Sequence, residues 1–186
     1  MTLHVFHFTA SINPVTTSIL QDLVLRAVTS GKASKLQIHI STDGGSTSHG
    51  FALYNFLRSL PVPVTTVNMG SVESMGVVLY LAGAVRIAAP HSRFLLHPLN
   101  WNFNEGRVDH ARLTEHSLCL DNDFDRYSSI FTERTSDAAQ PIDIQSCLKN
   151  NAKVLTPEDA IAAGLSHETK AVELPSDAVS WWVNSH

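Results

Sequence analysis

Ser74 closes the run Gly70-Ser71-Val72-Glu73 and precedes Met75-Gly76, where a β-run gives way to a helix. A serine in the first turn of a helix lies at the positive end of the helix dipole, beside backbone N–H groups with no intrahelical acceptor. That setting suits a nucleophile and the oxyanion formed when it attacks a carbonyl. His97 follows the β-run Phe94-Leu95-Leu96 and precedes Pro98, so it sits at a strand end, where an imidazole can take a proton. The competing accounts are a helix-capping serine, a role for which Ser71 is also placed, and a merely solvated histidine. Upstream, Ser41-Thr42-Asp43-Gly44-Gly45 ends another β-run, and its glycines allow backbone N–H groups to turn towards an anion. The order is a Gly-Gly turn, a serine at a helix start and a histidine after a strand. Those are the parts that acyl transfer needs. The serine does not sit in a GxSxG elbow, because Val72 occupies the first glycine position.

The elements that must hold these residues alternate between strand and helix. Leu3–Phe8 reads as a strand broken by Asn13-Pro14, and residues 17–29 carry apolar side chains at helical spacing up to Gly31. Residues 36–40 form a β-run, and Ser46 or Thr47 caps a helix that Pro61 and Pro63 end. Residues 62–67 are a β-branched strand, 74–83 a helix of small and apolar residues, and 85–88 and 94–96 short strands. A long polar helix is expected over 109–135, with Leu113, His116, Leu120, Phe124, Tyr127 and Phe131 on one stripe. Such a stripe implies an interface with another copy or burial in the chain's own core. Thr156-Pro157-Glu158-Asp159 is a helix start, closed by Gly164. Short links between βα units imply an α/β protein with a mostly parallel sheet, one domain over residues 1–186. Trp181-Trp182 reads as packing or an oligomer contact rather than a ligand box.

Composition excludes several classes. The net charge of −4 carries no basic footprint for nucleic acid or an anionic membrane. The longest apolar stretch, residues 77–89, is interrupted by Arg86, so no membrane span is expected. Cys119 and Cys147 form neither a CxxC nor a disulfide framework. The opening MTLHVFHF lacks the basic and long apolar regions of a leader, so a cytoplasmic protein is expected. Asp121, Asp123 and Asp125 resemble a calcium loop, but Arg126 stands where glycine is needed, and no metal is expected. HExxH, P-loop and GxGxxG patterns are absent, and no cofactor is expected.

Three segments resemble the Clp protease proteolytic subunit of the ClpP/crotonase superfamily. They are "LQIHISTDGGSTSHGFALYNFL", "GSVESMGVVLYLAGAVRIAAPHSRFLLHP" and "VLTPEDAIAAGL". The resemblance implies repeated ββα/βα units around the sheet, with a helical handle over about residues 100–140. It implies Ser74 as nucleophile, His97 as general base, and the N–H groups of Gly45 and Met75 as oxyanion donors. It also implies a peptide or small ester or amide substrate and a homo-oligomeric ring. The family's acid falls on Ala152, with Asn151 adjacent, so a weakened serine hydrolase is expected. The alternatives are a non-catalytic peptide-binding paralogue and a crotonase-type acyl-CoA enzyme. Asp43 stands where the family's turn has proline. Glu73 stands where a small residue usually precedes the nucleophile; its carboxylate would favour basic substrates or pair with the helix dipole. The sequence starts near the family's first core strand, so an axial segment and productive coupling to an unfoldase ATPase are not expected.

Overall fold

The computed structural model describes residues 2–31, 33–100 and 107–184. The start of the expected handle, 101–106, lies outside the described residues. The strands are β1 (Leu3–Phe8), β2 (Lys35–Thr42), β3 (Val64–Glu73), β4 (Val85–Ala88), β5 (Arg93–Leu96), β6 (Lys153–Leu155), β7 (Glu168–Thr169) and β8 (Val179–Val183). They form one sheet in the order β6-β5-β3-β2-β1-β8, with β4 and then β7 attached beside β3. Every pairing is parallel except β5–β6. The expected α/β class and mostly parallel sheet are therefore observed.

The helices are α1 (Pro14–Thr29), α2 (Thr47–Arg58), α3 (Met75–Leu81), α4 (His110–Arg134), α5 (Ile144–Lys149) and α6 (Pro157–Ala162). Phe6, Phe8, Leu36, Ile38 and Ile40 alternate along β1 and β2 and join one buried core with Leu20 and Val24 of α1, Phe51 of α2 and the apolar residues of α3. Asn13-Pro14 is not a break but the start of α1. Asn13 Oδ1 accepts from the N–H groups of Val15 and Thr16, Thr16 Oγ1 accepts from Asn13 N–H, and proline needs no donor at the first position.

β3 runs past residue 67, where the expected strand stops, and continues through Gly70 to Glu73. Against β2, Ile40 pairs with Asn68 but Thr42 pairs with Val72, so β3 carries extra residues there. Buried Asn68 holds this irregularity, accepting from Gly70 N–H at 3.0 Å and donating to Arg93 O at 2.8 Å. The first half of β3 thus pairs with β4 and the last with β5, and the strand is aimed at the start of α3.

α4 splits in two. Phe124, Tyr127 and Phe131 of the apolar stripe are buried in the chain's own core, whereas Leu113 is 49% exposed and Leu118 65% exposed. Of the stripe, the N-terminal part is the part left exposed. Buried Arg86 donates to Leu165 O at 2.8 Å and to Gly164 O and Arg134 O at 3.0 Å, tying the ends of α4 and α6 to β4. β8, read from the sequence only as a tryptophan pair, adds an edge strand. Trp181 Nε1 donates to His4 Nδ1, and Trp182 stacks on His7 at 4.0 Å.

His39, on the sheet face away from α1 to α3, is 5% exposed, with the His7 ring edge-on at 5.1 Å. Burial first, and His7 second, pull its pKa down to about 4. The unfolded chain therefore holds a proton at residue 39 between about pH 4 and 6.5 that the folded chain lacks, and stability falls as pH drops through that window. Going from pH 7 to 4 should cost about 3 kcal/mol through this group. Urea unfolding at both pH values should show that loss in the wild type and a smaller one in His39→Gln. Equal losses would assign acid sensitivity elsewhere.

Candidate active site

Ser74 is the junction between β3 and α3 and has φ 49° and ψ −126°. It is the only non-glycine residue with positive φ among the described residues. Such a conformation costs about 1–3 kcal/mol and persists only where the surroundings impose it. Here Ser74 N–H donates to Leu95 O at 3.0 Å, and Ser74 O accepts from Val77 N–H at 3.0 Å and from Tyr127 O–H at 3.1 Å. The side chain makes no capping hydrogen bond. The geometry is a sharp strand-to-helix elbow reached without its usual glycine pattern.

The turn after β2 lies against this elbow. Gly44 has φ 92° and Gly45 φ 138°, and a Cβ on Gly44 would lie 2.7 Å from Ser74 Cβ and 3.0 Å from Met75 N. No other residue type fits that approach without strain. Met75 N–H is the first of α3 and has no acceptor within the helix. Ser46 N–H donates to Ile12 O and Ile12 N–H to Gly44 O, which fixes the turn.

Ser74, His97 and Gly45 line one cleft of about 730 Å³, together with Asp43, Thr47, Cys119 and Asp123. His97 follows β5, and its Nδ1 lies 3.0 Å from Pro98 O. With Nδ1–H donating to that carbonyl, Nε2 carries the lone pair a base requires. Among the described residues no hydrogen bond joins Ser74 Oγ to the imidazole. Such contacts tighten when substrate closes the site.

The acid position can be read from pairing. In the antiparallel β5–β6 ladder, Leu95 faces Val154 and Leu96 faces Lys153. The ladder ends there; the same register continued by one residue would put Ala152 opposite His97. Asn151 turns away, its amide donating to Ser146 Oγ at 3.1 Å, and both residues line a separate cavity of about 260 Å³. Asp143, in that second cavity, accepts from Ser146 N–H and caps α5.

Glu73 is accounted for by neither expectation. Its carboxylate accepts from Ser71 Oγ at 2.6 Å and is ion-paired with Arg93 at 2.8 Å, and it does not line the cleft. The acidic lining comes from Asp43 and from Asp123, which accepts from Thr47 Oγ1 and pairs with Arg126. Sequence reasoning missed Asp123 as a lining residue and Tyr127 as a partner of Ser74. The available signal for Tyr127 was a polar tip on an otherwise apolar stripe.

Fold and cleft together define an α/β protein with a strained serine elbow beside a histidine at a strand end. The Clp protease family matches residues 3–170, and the chain belongs to that family of serine peptidases. Among solved structures it is similar to an asparagine-to-aspartate mutant of ClpP1 from Listeria monocytogenes. The identity is 18% and the TM-score 0.74, covering 90% of this chain and 91% of that one, and the ClpP fold is shared. No helix of the described residues is long and apolar enough to cross a membrane.

Proposed function

We propose that the chain is a weak serine hydrolase that attacks peptides and small activated esters or amides through an acyl-enzyme on Ser74. The observation that carries this reading is the strained Ser74 elbow opening on the same cleft as His97 and Gly45. His97 Nε2 removes the Ser74 proton as Oγ attacks the carbonyl, then returns it to the leaving group. The N–H groups of Gly45 and Met75 receive the oxyanion. Turnover is slow because the β5–β6 register, continued one residue past Leu96–Lys153, puts alanine opposite His97, and among the described residues only the neutral Pro98 carbonyl bonds the ring. A backbone carbonyl fixes the tautomer but offers no charge to the imidazolium that forms.

Family membership favours this reading over a crotonase-type acyl-CoA enzyme or a non-catalytic paralogue. The family's ring assembly supports a homo-oligomer here, with the exposed half of α4 as a contact between copies. The unpaired Cys119 and Cys147 fit a reducing, cytoplasmic compartment.

The pair is tested through the base. His97→Gln should lower the rate at which a fluorophosphonate modifies Ser74 by about 10²-fold, the lower range for general-base catalysis, with thermal unfolding unchanged. An unchanged rate would give Ser74 a different base.

A further inference from the structure

Tyr127 is fully buried on α4, flanked on its stripe by Phe124 and Phe131, which fill their places without a hydroxyl. A buried phenol needs a partner, and here the partner is the Ser74 carbonyl, at 3.1 Å. That carbonyl belongs to the same planar peptide unit as Met75 N–H, and in a trans unit the two point in opposite directions. Tyr127 O–H and Val77 N–H hold the oxygen on one side. Met75 N–H is thereby held on the other, and Gly44 lies close by, an ideal Cβ there falling 3.0 Å from Met75 N.

We infer that Tyr127 is a positioning residue for the oxyanion hole: its hydroxyl fixes the Ser74–Met75 peptide plane so that Met75 N–H faces the reacting carbonyl. The inference rests on the proposed acylation of Ser74. Without the phenol, the plane keeps one hydrogen bond in place of two. The φ 49°, ψ −126° state of Ser74 loses support, and rotation of the plane carries the N–H out of line. A hydrogen bond accepted by a peptide oxygen also polarises the unit and strengthens its N–H as a donor. Burial pushes the phenol well above its ordinary range, so it stays a donor at working pH. Tyr127 itself touches no substrate and acts only through the backbone.

Tyr127→Phe in the full chain keeps the ring and removes only the donor. Fluorophosphonate labelling of Ser74 should slow about tenfold. The affinity for phenylboronic acid, whose adduct on the serine places an anionic oxygen in the hole, should fall by a similar factor. For a small nitrophenyl ester the loss should appear in kcat with KM unchanged, because the interaction strengthens only in the transition state. Thermal unfolding should shift by only a few degrees. A purely structural tyrosine would leave the labelling rate and boronate affinity of the folded protein at wild-type values, and that result would overturn the inference. Replacing Tyr127 with 3-fluorotyrosine, a stronger donor of nearly the same shape, should label at least as fast as wild type. This second protein carries the test if the phenylalanine variant does not fold, and a rate at or below one tenth of wild type in it would also overturn the inference. Absence of labelling at Ser74 in the wild type would instead sink the proposed acylation, and the inference with it.

Discussion

Ala152→Asp should raise kcat/KM for a small activated ester by about 10³- to 10⁴-fold, since loss of the acid in Ser–His–Asp hydrolases costs about 10⁴. That corresponds to about 4–5.5 kcal/mol of transition-state stabilisation. The expectation comes from pairing: β5 and β6 run antiparallel with Leu96 opposite Lys153, and that register continued by one residue would put residue 152 opposite His97. A carboxylate there can accept an Nδ1–H, in place of the Pro98 O that lies 3.0 Å from Nδ1, and can stabilise the imidazolium. Asn151→Asp should give no such gain, because the residue 151 side chain points towards Ser146. If Asn151→Asp alone activates the protein, the register is off by one residue. If neither does, His97 is not the base of a reacting pair.

The effect of Ser74→Ala should depend on whether the acid is present. Members of a triad act as a unit: removing the acid alone costs about 3 × 10⁴ in kcat, and removing all three costs about 2 × 10⁶. In a chain that already lacks the acid, losing the serine should therefore cost only about 10²-fold on an activated ester. In the Ala152→Asp background the same substitution should cost about 10⁵- to 10⁶-fold. Steady-state ester hydrolysis of the four proteins completes the cycle. Additive effects would mean that Ser74 and residue 152 do not belong to one catalytic unit. The fold should survive each change, since among the described residues Ser74 makes no side-chain capping hydrogen bond and it is its backbone that holds the elbow.

Much of this arrangement was legible in the sequence because it rests on local signals. Gly44-Gly45, the β-branched run before the serine and the Thr156-Pro157 helix start each left a mark of composition or periodicity. Of two capping devices, the one at Thr156 is legible and is formed, whereas Asn13-Pro14 reads as a break in the sequence and starts α1 in the structure. β6, β7 and β8 are short and carry almost no alternating pattern; partners distant in sequence create them. The extension of β3 to Glu73 depends on the irregular pairing held by Asn68, which no local pattern encodes. The same holds for the cleft. Ser74, His97 and Gly45 carried motif signals, whereas Asp123 and Tyr127 reach the site through the packing of α4. The stripe that suggested an interface is divided, with Phe124, Tyr127 and Phe131 inside the core, Leu113 in solvent and Leu120 half-buried.

The most direct test of the central claim is to treat the intact wild-type chain with a fluorophosphonate and locate the adduct by mass spectrometry. A single phosphonyl group on Ser74, absent from Ser74→Ala, is the predicted result. An adduct on Ser71 or another residue, labelling that persists in Ser74→Ala, or no adduct at all would contradict it.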